Sequence, residues 1–305
     1  MAENPLVVAD EVADALSGGR AVVALESTLI CHGLPPEQGL PVARQIEQTV
    51  RAHGAVPATI GVLDGRLVIG LSDEQIQRLV AAHPVAKLAL RDVAVAVALR
   101  RDGATTVAST AAAAAEAGIG VFATGGLGGV HRGARDSWDE SADLAVLGRT
   151  EITVVCAGIK SILAVPATLE RLESLSVAVL GYGSDTVAGF YQSDSGHPAP
   201  WRVDSPQEVA AVMHARRLLG LPPAAVVVAL PLPEDEQLPP ALHERVLADA
   251  LRAAHRAGIG GKEVTPYLLE HFHRETGGVS VTVNVSIIRR NAALGADIAV
   301  AAAAR

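Results

Sequence analysis

Short runs of Val, Ile, Leu and Ala recur along the chain, and segments of helical character separate them. The clearest of these runs lie at residues 21–25, 121–124, 152–156, 177–180 and 226–230. Runs that are apolar on both faces are typical of strands in a buried parallel sheet. Their alternation with helices predicts an α/β protein with three layers (α/β/α) around a central mixed, largely parallel sheet.

The composition agrees with a core of small aliphatic side chains. Of the 305 residues, 50% are hydrophobic but only 3% are aromatic, so Ala, Val, Leu and Ile must fill the interior. Neither an internal repeat nor a linker of distinct composition interrupts the sequence. We therefore expect a single domain over residues 1–305.

Local signals place several elements directly. Asp10–Ser17 is predicted to be a helix that two glycines end. Asp64 and Gly65 predict a tight turn between strands Val56–Leu63 and Arg66–Ile69, because this dipeptide favours two-residue hairpins.

Weaker patterns complete the outline. A helix is expected to begin near Pro41, and Ser72 with Gln75 predicts the capping box of another helix. The remaining expectations, in chain order, are a strand at 105–107, a helix at 110–117, irregular segments at 185–205 and 231–240, and a long helix at 280–303.

Charge and cysteine content bear on partners and compartment. The formal net charge is −8 without a basic block, so we expect no nucleic-acid partner. Cys31 and Cys156 are too few for a disulfide framework, and Cys31 is interpreted as core filling. Residues 1–10 are acidic where a signal peptide is basic, and no apolar run approaches the roughly 20 residues of a membrane span. These features predict a cytoplasmic protein.

Several familiar motifs fail on inspection. The glycines at 125–129 do not match the dinucleotide fingerprint, and 261–263 lacks the Ser or Thr of a phosphate-binding P-loop. A calcium loop starting at 139 lacks its central glycine and its final glutamate. Paired zinc-type histidines and a nucleophile elbow are also missing.

Two polar residues stand at or after predicted strand ends. Glu26 follows the run at 21–25, and Lys160 follows the run at 152–156, at the expected start of a helix. The carboxyl edge of an α/β sheet is the usual ligand site, where a carboxyl can act as an acid and a lysine as a nucleophile. A structural ion pair is the more common explanation of such residues, and spacing alone leaves both open.

Two polar segments could contact a phosphate or a cation. The glycine-rich turn at 124–133 contains His131 and Arg132, which could bind a phosphate, although a tight connection is equally consistent. Asp139, Ser141 and Asp143 could hold a hydrated divalent cation, whereas a helix N-cap cluster is the more common explanation.

Nine ordered segments between residues 6 and 303 carry a family resemblance. They read ALEST (24–28), HG (32–33), VPATI (56–60), GATTV (103–107), VFATGG (121–126), GVHRG (129–133), SADL (141–144), CAGIKSIL (156–163) and GKEVTP (261–266). Together they resemble the pseudouridine-5′-phosphate glycosidases, a family also described as indigoidine-synthase-A-like.

The resemblance implies reversible cleavage of the C–C glycosidic bond of pseudouridine 5′-phosphate, which gives uracil and ribose 5-phosphate. Glu26 matches the family's proton donor, and Lys160 matches a nucleophile that binds the ring-opened sugar covalently. A divalent cation, usually Mn²⁺, and a homotrimer are also implied. Asp139 matches the cation ligand, and the substrate-contacting positions are matched by Lys87, Val107, Ser141, Asp143 and Asn284.

The implied chemistry is reasonable for this bond. A C–C glycosidic bond has no leaving-group oxygen, so uracil must accept a proton at carbon, and an imine with lysine supplies an electron sink. Departures from the family pattern at Ala164, 86–92 and 184–189 concern the substrate loops. The alternatives are a Schiff-base aldolase or lyase acting on a sugar phosphate, and a non-catalytic sugar-phosphate-binding protein.

Overall fold

The structure, a computed structural model, describes residues 4–82 and 85–304, without the side chain of Lys262. Within these residues, eleven strands form one mixed sheet flanked by helices, which confirms the predicted α/β class. The strands are β1 (Leu6–Val8), β2 (Val22–Glu26), β3 (Val56–Leu63), β4 (Arg66–Ile69), β5 (Ala86–Leu88), β6 (Gly103–Thr105), β7 (Val121–Ala123), β8 (Thr153–Cys156), β9 (Ala178–Tyr182), β10 (Trp201–Val203) and β11 (Val226–Ala229).

Helices connect most of these strands, and a short 3₁₀ helix covers Gly261–Glu263. The α-helices are α1 (Asp10–Ser17), α2 (Thr28–His32), α3 (Pro36–Ala52), α4 (Asp73–Ala81), α5 (Leu90–Ala98), α6 (Val107–Glu116), α7 (Ala134–Ser137), α8 (Ala142–Leu147), α9 (Val165–Ser174), α10 (Pro206–Leu218), α11 (Pro240–Arg256), α12 (Val264–Glu275) and α13 (Val279–Ala303).

The strand order is β1-β4-β3-β2-β7-β8-β11-β9-β10, with β6 beside β3 and β5 beside β6. Only the β3–β4 and β3–β6 pairs are antiparallel among the pairs described. Because β2, β7 and β8 are parallel neighbours, their carboxyl ends lie at one edge of the sheet. The long helix α13 packs against the same three strands. In the described part of the chain, no helix combines the length and apolar character needed to cross a bilayer.

The short-range predictions are confirmed where the signal is local. Asp64 and Gly65 have φ values of 52° and 77°, which are the positive angles that a two-residue hairpin turn requires. Ser72 accepts a hydrogen bond from the N–H of Gln75 and donates its own N–H to the Gln75 side chain, so the capping box forms.

Predicted boundaries are wrong in two regions of the first half of the chain. The helix expected near Pro41 begins at Pro36, which suits the first helical turn, so Pro41 lies inside α3. Pro41 lacks one helical hydrogen bond, and burial of Val42 and Ile46 stabilises the helix across it. Likewise, the strand expected at 105–107 already ends at Thr105, and the helix expected at 110–117 begins at Val107.

The β6–α6 junction explains the second error. Val107 is the first residue of α6, and Thr106 is its N-cap residue, whose N–H donates to Ser109 Oγ over 2.8 Å. The three β-branched residues at 105–107 are typical of a strand, but in the structure they span the end of β6 and the start of α6. The segment expected to be irregular at 185–205 also contains β10, which pairs with β9.

Candidate active site

A cavity of about 310 Å³ lies at the carboxyl edge of β2, β7 and β8. Its walls come from strand ends, helix starts and loops that are far apart in sequence. The nine site residues predicted from sequence all line it: Glu26, Lys87, Val107, His131, Asp139, Ser141, Asp143, Lys160 and Asn284.

Glu26 is the last residue of β2, and its side chain is partly exposed to the cavity. In the parallel β2–β7 pair Leu25 is opposite Ala123, so the register places Glu26 beside Thr124. The Thr124 hydroxyl donates a short hydrogen bond to Glu26 Oε1. Burial raises the pKa of Glu26, although the positive charge of Lys160 and the Thr124 hydrogen bond oppose this effect.

Two lysines reach this cavity. Lys87 lies in β5, and Lys160 lies in the turn between β8 and α9. The prediction that Lys160 starts a helix is wrong, because α9 begins only at Val165 and the Lys160 N–H donates to the Leu127 carbonyl. Burial and the nearby charge of Lys160 lower the pKa of Lys87 to about 8, against the opposing charge of Asp143.

These lysines are conspicuous in the composition as well. The whole chain contains only three lysines, and the other 22 strongly basic side chains are arginines. Two of the three lysines therefore lie in one cavity, a concentration that lysine counting alone does not reveal. A lysine side chain in a protein can become a neutral amine, whereas an arginine side chain stays charged. A pair of lysines is therefore suited to nucleophilic attack or imine formation.

Asp143 is buried and uses both carboxylate oxygens on the backbone. Oδ1 accepts from the N–H of Ala108 at 3.0 Å, and Oδ2 accepts from the N–H of Gly128 at 2.9 Å. The carboxylate thus joins the first turn of α6 to the glycine-rich loop. Gly128 has no room for a side chain, because a Cβ there would lie 2.3 Å from Ser141 Oγ.

Ser141 caps α8, since its hydroxyl accepts from the Asp143 N–H at 3.2 Å. The N-cap explanation that the sequence left open for this cluster therefore applies to Ser141. Val107, in turn, is nearly fully buried at the start of α6. Asn284 is a buried residue of α13 and donates to the Gly33 carbonyl at 3.3 Å.

The glycine-rich loop directs its two basic side chains differently. His131 lines the cavity, with Nδ1 3.7 Å from Asp139 Oδ2, and burial lowers its pKa. Arg132 does not line the cavity and donates instead to the carbonyl groups of Ser161 and Ile162. Arg132 therefore holds the turn after Lys160.

Asp139 is the residue that matches a cation ligand. Its Oδ2 also accepts from the Gly261 N–H at 3.1 Å. Over residues 4–82 and 85–304, no group of three or more His, Cys, Asp or Glu side chains is placed to hold a metal ion. A single carboxylate fits a hard cation that keeps most of its water ligands, rather than one held in a protein cage.

Sequence reasoning missed part of the wall. Phe190 belongs to the segment expected to be a loop, yet it is buried, has a φ of 65°, and lines the cavity against Gly126. Thr265 and Leu269 of α12 also line it, and only the first lies in a recognised segment. Phe190 and Leu269 have no local signal, because only the folded chain brings them to the strand ends.

An α/β sheet with an acid of raised pKa and two amines in one carboxyl-edge cavity defines an enzyme of covalent or acid–base chemistry. Residues 11–301 match the family described as Indigoidine synthase A like protein, and the chain belongs to this family.

Relatives extend over nearly the whole chain. A "Pseudouridine-5'-phosphate glycosidase" of Salinispora tropica is 61% identical over 295 residues, which cover 97% of this chain and 91% of the relative. One of Streptomyces griseus is 57% identical over 302 residues, covering 99% and 93%.

Solved structures are similar over the same length. The prealnumycin C-glycosynthase AlnA in complex with ribulose 5-phosphate matches with a TM-score of 0.90 and 38% identity, covering 99% of this chain and 98% of that one. An indigoidine synthase A (IdgA)-like protein of Thermotoga maritima gives a TM-score of 0.87 and 31% identity, covering 98% of each chain.

Proposed function

We propose that this enzyme reversibly cleaves the C–C glycosidic bond of pseudouridine 5′-phosphate to uracil and ribose 5-phosphate. The observation that supports it most is the placement of Glu26, with its raised pKa, in one cavity with Lys160. The names of the relatives at 61% and 57% identity point to the same reaction. A sugar-phosphate complex of AlnA agrees with the substrate class.

Lys160 is proposed to act first. Its amine nitrogen forms a bond to C1′ of the ribose while the C1′–O4′ bond breaks, and O4′ takes up the proton that the amine loses. The ring-opened sugar is then attached to the lysine through a secondary amine. The nitrogen lone pair of this amine supplies the electrons that the next bond cleavage requires.

Glu26 is proposed to act second, as the proton donor. Uracil C5 accepts a proton from the Glu26 carboxyl, the C1′–C5 bond breaks, and its electron pair remains with uracil. The amine nitrogen forms a C=N bond to C1′ at the same time. Water then hydrolyses this imine, which releases ribose 5-phosphate, restores the Lys160 amine, and returns a proton to Glu26.

The other wall residues are proposed to bind the substrate. Lys87, His131 and Ser141 offer hydrogen-bond donors in the same cavity, as an anionic sugar phosphate requires. Val107, Asp143 and Asn284 complete the proposed contacts, and the Asp143 carboxylate also joins the start of α6 to the glycine-rich loop. Asp139 is proposed to hold a divalent cation, Mn²⁺ in the family, which would supply positive charge next to substrate oxygens.

One observation favours a second candidate function. The pKa of Lys87 is about 8, and a lysine that is readily neutral is suited to imine formation. A Schiff-base aldolase or lyase acting on a sugar phosphate through Lys87 would use this amine. In such an enzyme Glu26 would have no nucleobase leaving group to protonate.

The test is direct. The purified protein is incubated with pseudouridine 5′-phosphate, with and without Mn²⁺, and uracil is quantified by chromatography. We expect uracil and ribose 5-phosphate in equal amounts, and the reverse synthesis from these two compounds. A folded, metal-supplied protein that releases no uracil would refute the proposal, and retro-aldol fragments of a sugar phosphate would favour the second candidate.

The assembly is proposed from the family resemblance, and the compartment from the cysteine content. A homotrimer is the expected assembly, which sedimentation velocity tests. Cys31 and Cys156 are both buried free thiols, in agreement with the cytoplasm as the proposed compartment.

A further inference from the structure

Two buried polar residues lie behind Glu26 and are not part of the cavity wall. Thr124 follows β7, and Asn291 lies on the long helix α13. Each is only 1% exposed, and neither lines the cavity. Buried polar side chains of this kind are retained where they satisfy specific hydrogen bonds, so their partners indicate their role.

The hydrogen bonds of these residues form a chain that ends on Glu26. Asn291 Nδ2 donates to the Thr124 carbonyl at 2.7 Å and to the Gly125 carbonyl at 3.3 Å. The Thr124 N–H donates to the Val155 carbonyl of β8 at 3.0 Å. The backbone of Thr124 is thus held from two sides, and its hydroxyl donates to Glu26 Oε1.

These hydrogen bonds restrict the side-chain conformation of Glu26. The strand fixes its backbone, but the side chain has three rotatable bonds and must place its proton within hydrogen-bond reach of one carbon atom. A hydroxyl held by a fixed backbone limits these rotations. The same hydrogen bond lowers the pKa of Glu26 and so limits the increase that burial causes.

We infer that Thr124 and Asn291 are positioning residues for the proton donor Glu26. The inference rests on the proposed function. Thr124 orients the Glu26 carboxyl and restrains its pKa, and Asn291 fixes the backbone of Thr124 from α13.

Other groups also act on the Glu26 carboxyl, and they define what a test must leave unchanged. Lys160 from the β8–α9 turn and Lys87 from β5 lower its pKa, whereas Asp143 from α8 raises it. A substitution of Thr124 that removes only the hydroxyl keeps these three charges.

The sheet contains a matched control. Thr59 of β3 is buried, and its hydroxyl donates to Glu47 of α3 over 2.5 Å. Burial raises the pKa of Glu47 as it does that of Glu26. Neither Thr59 nor Glu47 lines the cavity, so Thr59→Val removes the same kind of hydrogen bond without touching the site.

The experiment compares pH profiles of kcat/KM for uracil release. Activity that needs a protonated Glu26 falls as the pH rises through the pKa of this residue. In Thr124→Val the carboxylate loses a stabilising hydrogen bond, so the falling limb should move to higher pH, while the maximum drops at least about tenfold. Thr124→Ser should restore both features, and Thr59→Val should match the wild-type protein.

A double-mutant cycle tests Asn291. If Asn291→Leu acts through Thr124, the double variant with Thr124→Val should lose little more activity than the more damaged single variant. If the activity losses of the two single variants multiply in the double variant, Asn291 does not act through Thr124. Calorimetric binding of ribose 5-phosphate confirms that each variant is folded. If Thr124→Val does not fold, Thr124→Cys replaces it, because a thiol is a weak donor of similar size.

The outcomes separate the two proposals. A wild-type protein that releases no uracil refutes the proposed function. The inference is overturned if the wild-type protein is active and Thr124→Val keeps the same falling limb and the same maximum of kcat/KM. It is also overturned if Thr124→Ser behaves like Thr124→Val.

Discussion

Lys87 shares its cavity with a second amine, that of Lys160, and the pKa of Lys87 is about 8. Burial is the larger cause, and the neighbouring positive charge adds to it. Glu26 and Asp143 act in the opposite direction without cancelling the effect. A lysine therefore changes its charge close to physiological pH inside the candidate site.

Replacing Lys87 should stabilise the protein at pH 7 more than at pH 10. Below about pH 8 the folded protein holds a partly buried ammonium group, which lowers the free energy of unfolding. That penalty disappears as the pH rises from about 8 towards 10.5, the value for an unperturbed lysine. Urea denaturation of Lys87→Met should show a gain at pH 7 on the order of 3 kcal/mol at most.

Arg101→Met provides the control for this measurement. Arg101 is exposed and keeps its charge throughout, so its substitution should have the same effect at both pH values. A Lys87→Met effect that does not change between pH 7 and pH 10 would show that the pKa of Lys87 is not lowered.

Borohydride trapping should identify the nucleophile. With ribose 5-phosphate, one reduced pentose phosphate should be added at Lys160, because reduction makes the C=N bond permanent. The chain has three lysines, so peptide mass spectrometry distinguishes them. Lys160→Met should abolish the adduct, and Lys87→Met should retain it. An adduct on Lys87 would transfer the nucleophilic role to the amine of lowered pKa.

Glu26→Gln should retain ribose 5-phosphate binding but lose cleavage. An amide cannot supply the proton that uracil needs, so kcat should fall by roughly 10²–10⁴-fold. Glu47→Gln is the matched control, since the Glu47 carboxyl also has a raised pKa and also accepts a hydrogen bond from a threonine hydroxyl. Its kcat should remain near that of the wild-type protein. Turnover by Glu26→Gln at the wild-type rate would remove the acid role.

Sequence predicts those elements whose signals are local. The Asp64–Gly65 turn and the Ser72 capping box depend on neighbouring residues alone, and both form as predicted. The short strand β5, which carries Lys87, has only three residues and was not predicted as a strand. The sequence predicts a helix start at Lys160, whereas the bonds that hold its turn come from Leu127 and Arg132, far away in sequence.

The partnership of Glu26 with Thr124 lies beyond such reasoning. β2 pairs with β7, the seventh strand in the chain, and no local pattern states this order. The roles of most of the nine predicted site residues came from the family resemblance, whereas their meeting in one cavity depends on long-range pairing. Thr124 even lies within a recognised motif, but its role becomes visible only beside Glu26.

Asp139→Asn should weaken Mn²⁺ binding. The amide lacks the negative charge that holds a hydrated cation, and the described cavity has no metal cage to compensate. Asp136→Asn is the control, because Asp136 is exposed in the preceding helix α7, three residues earlier. Electron paramagnetic resonance of free Mn²⁺ during titration gives both affinities. Equal affinities in the two variants would exclude Asp139 as the ligand.

Asp143→Asn should destabilise the protein even without substrate. An amide has one acceptor oxygen, so the N–H of either Ala108 or Gly128 would lose its partner, at a cost of about 1–3 kcal/mol. The exposed Asp194 accepts from a single backbone N–H, and Asp194→Asn should change the melting temperature little. An unchanged melting temperature in Asp143→Asn would show that these two hydrogen bonds do not stabilise the fold, which would leave substrate contact as the role of Asp143.

The long helix α13 has two buried asparagines, Asn284 and Asn291, spaced seven residues apart. This spacing is two helical turns, so both face the same side of the helix. One borders the cavity and the other holds the backbone behind the acid. A mutational screen that scored abundance alone would record substitutions here as packing defects. Comparing abundance with turnover, variant by variant, would separate their effect on folding from their effect on chemistry.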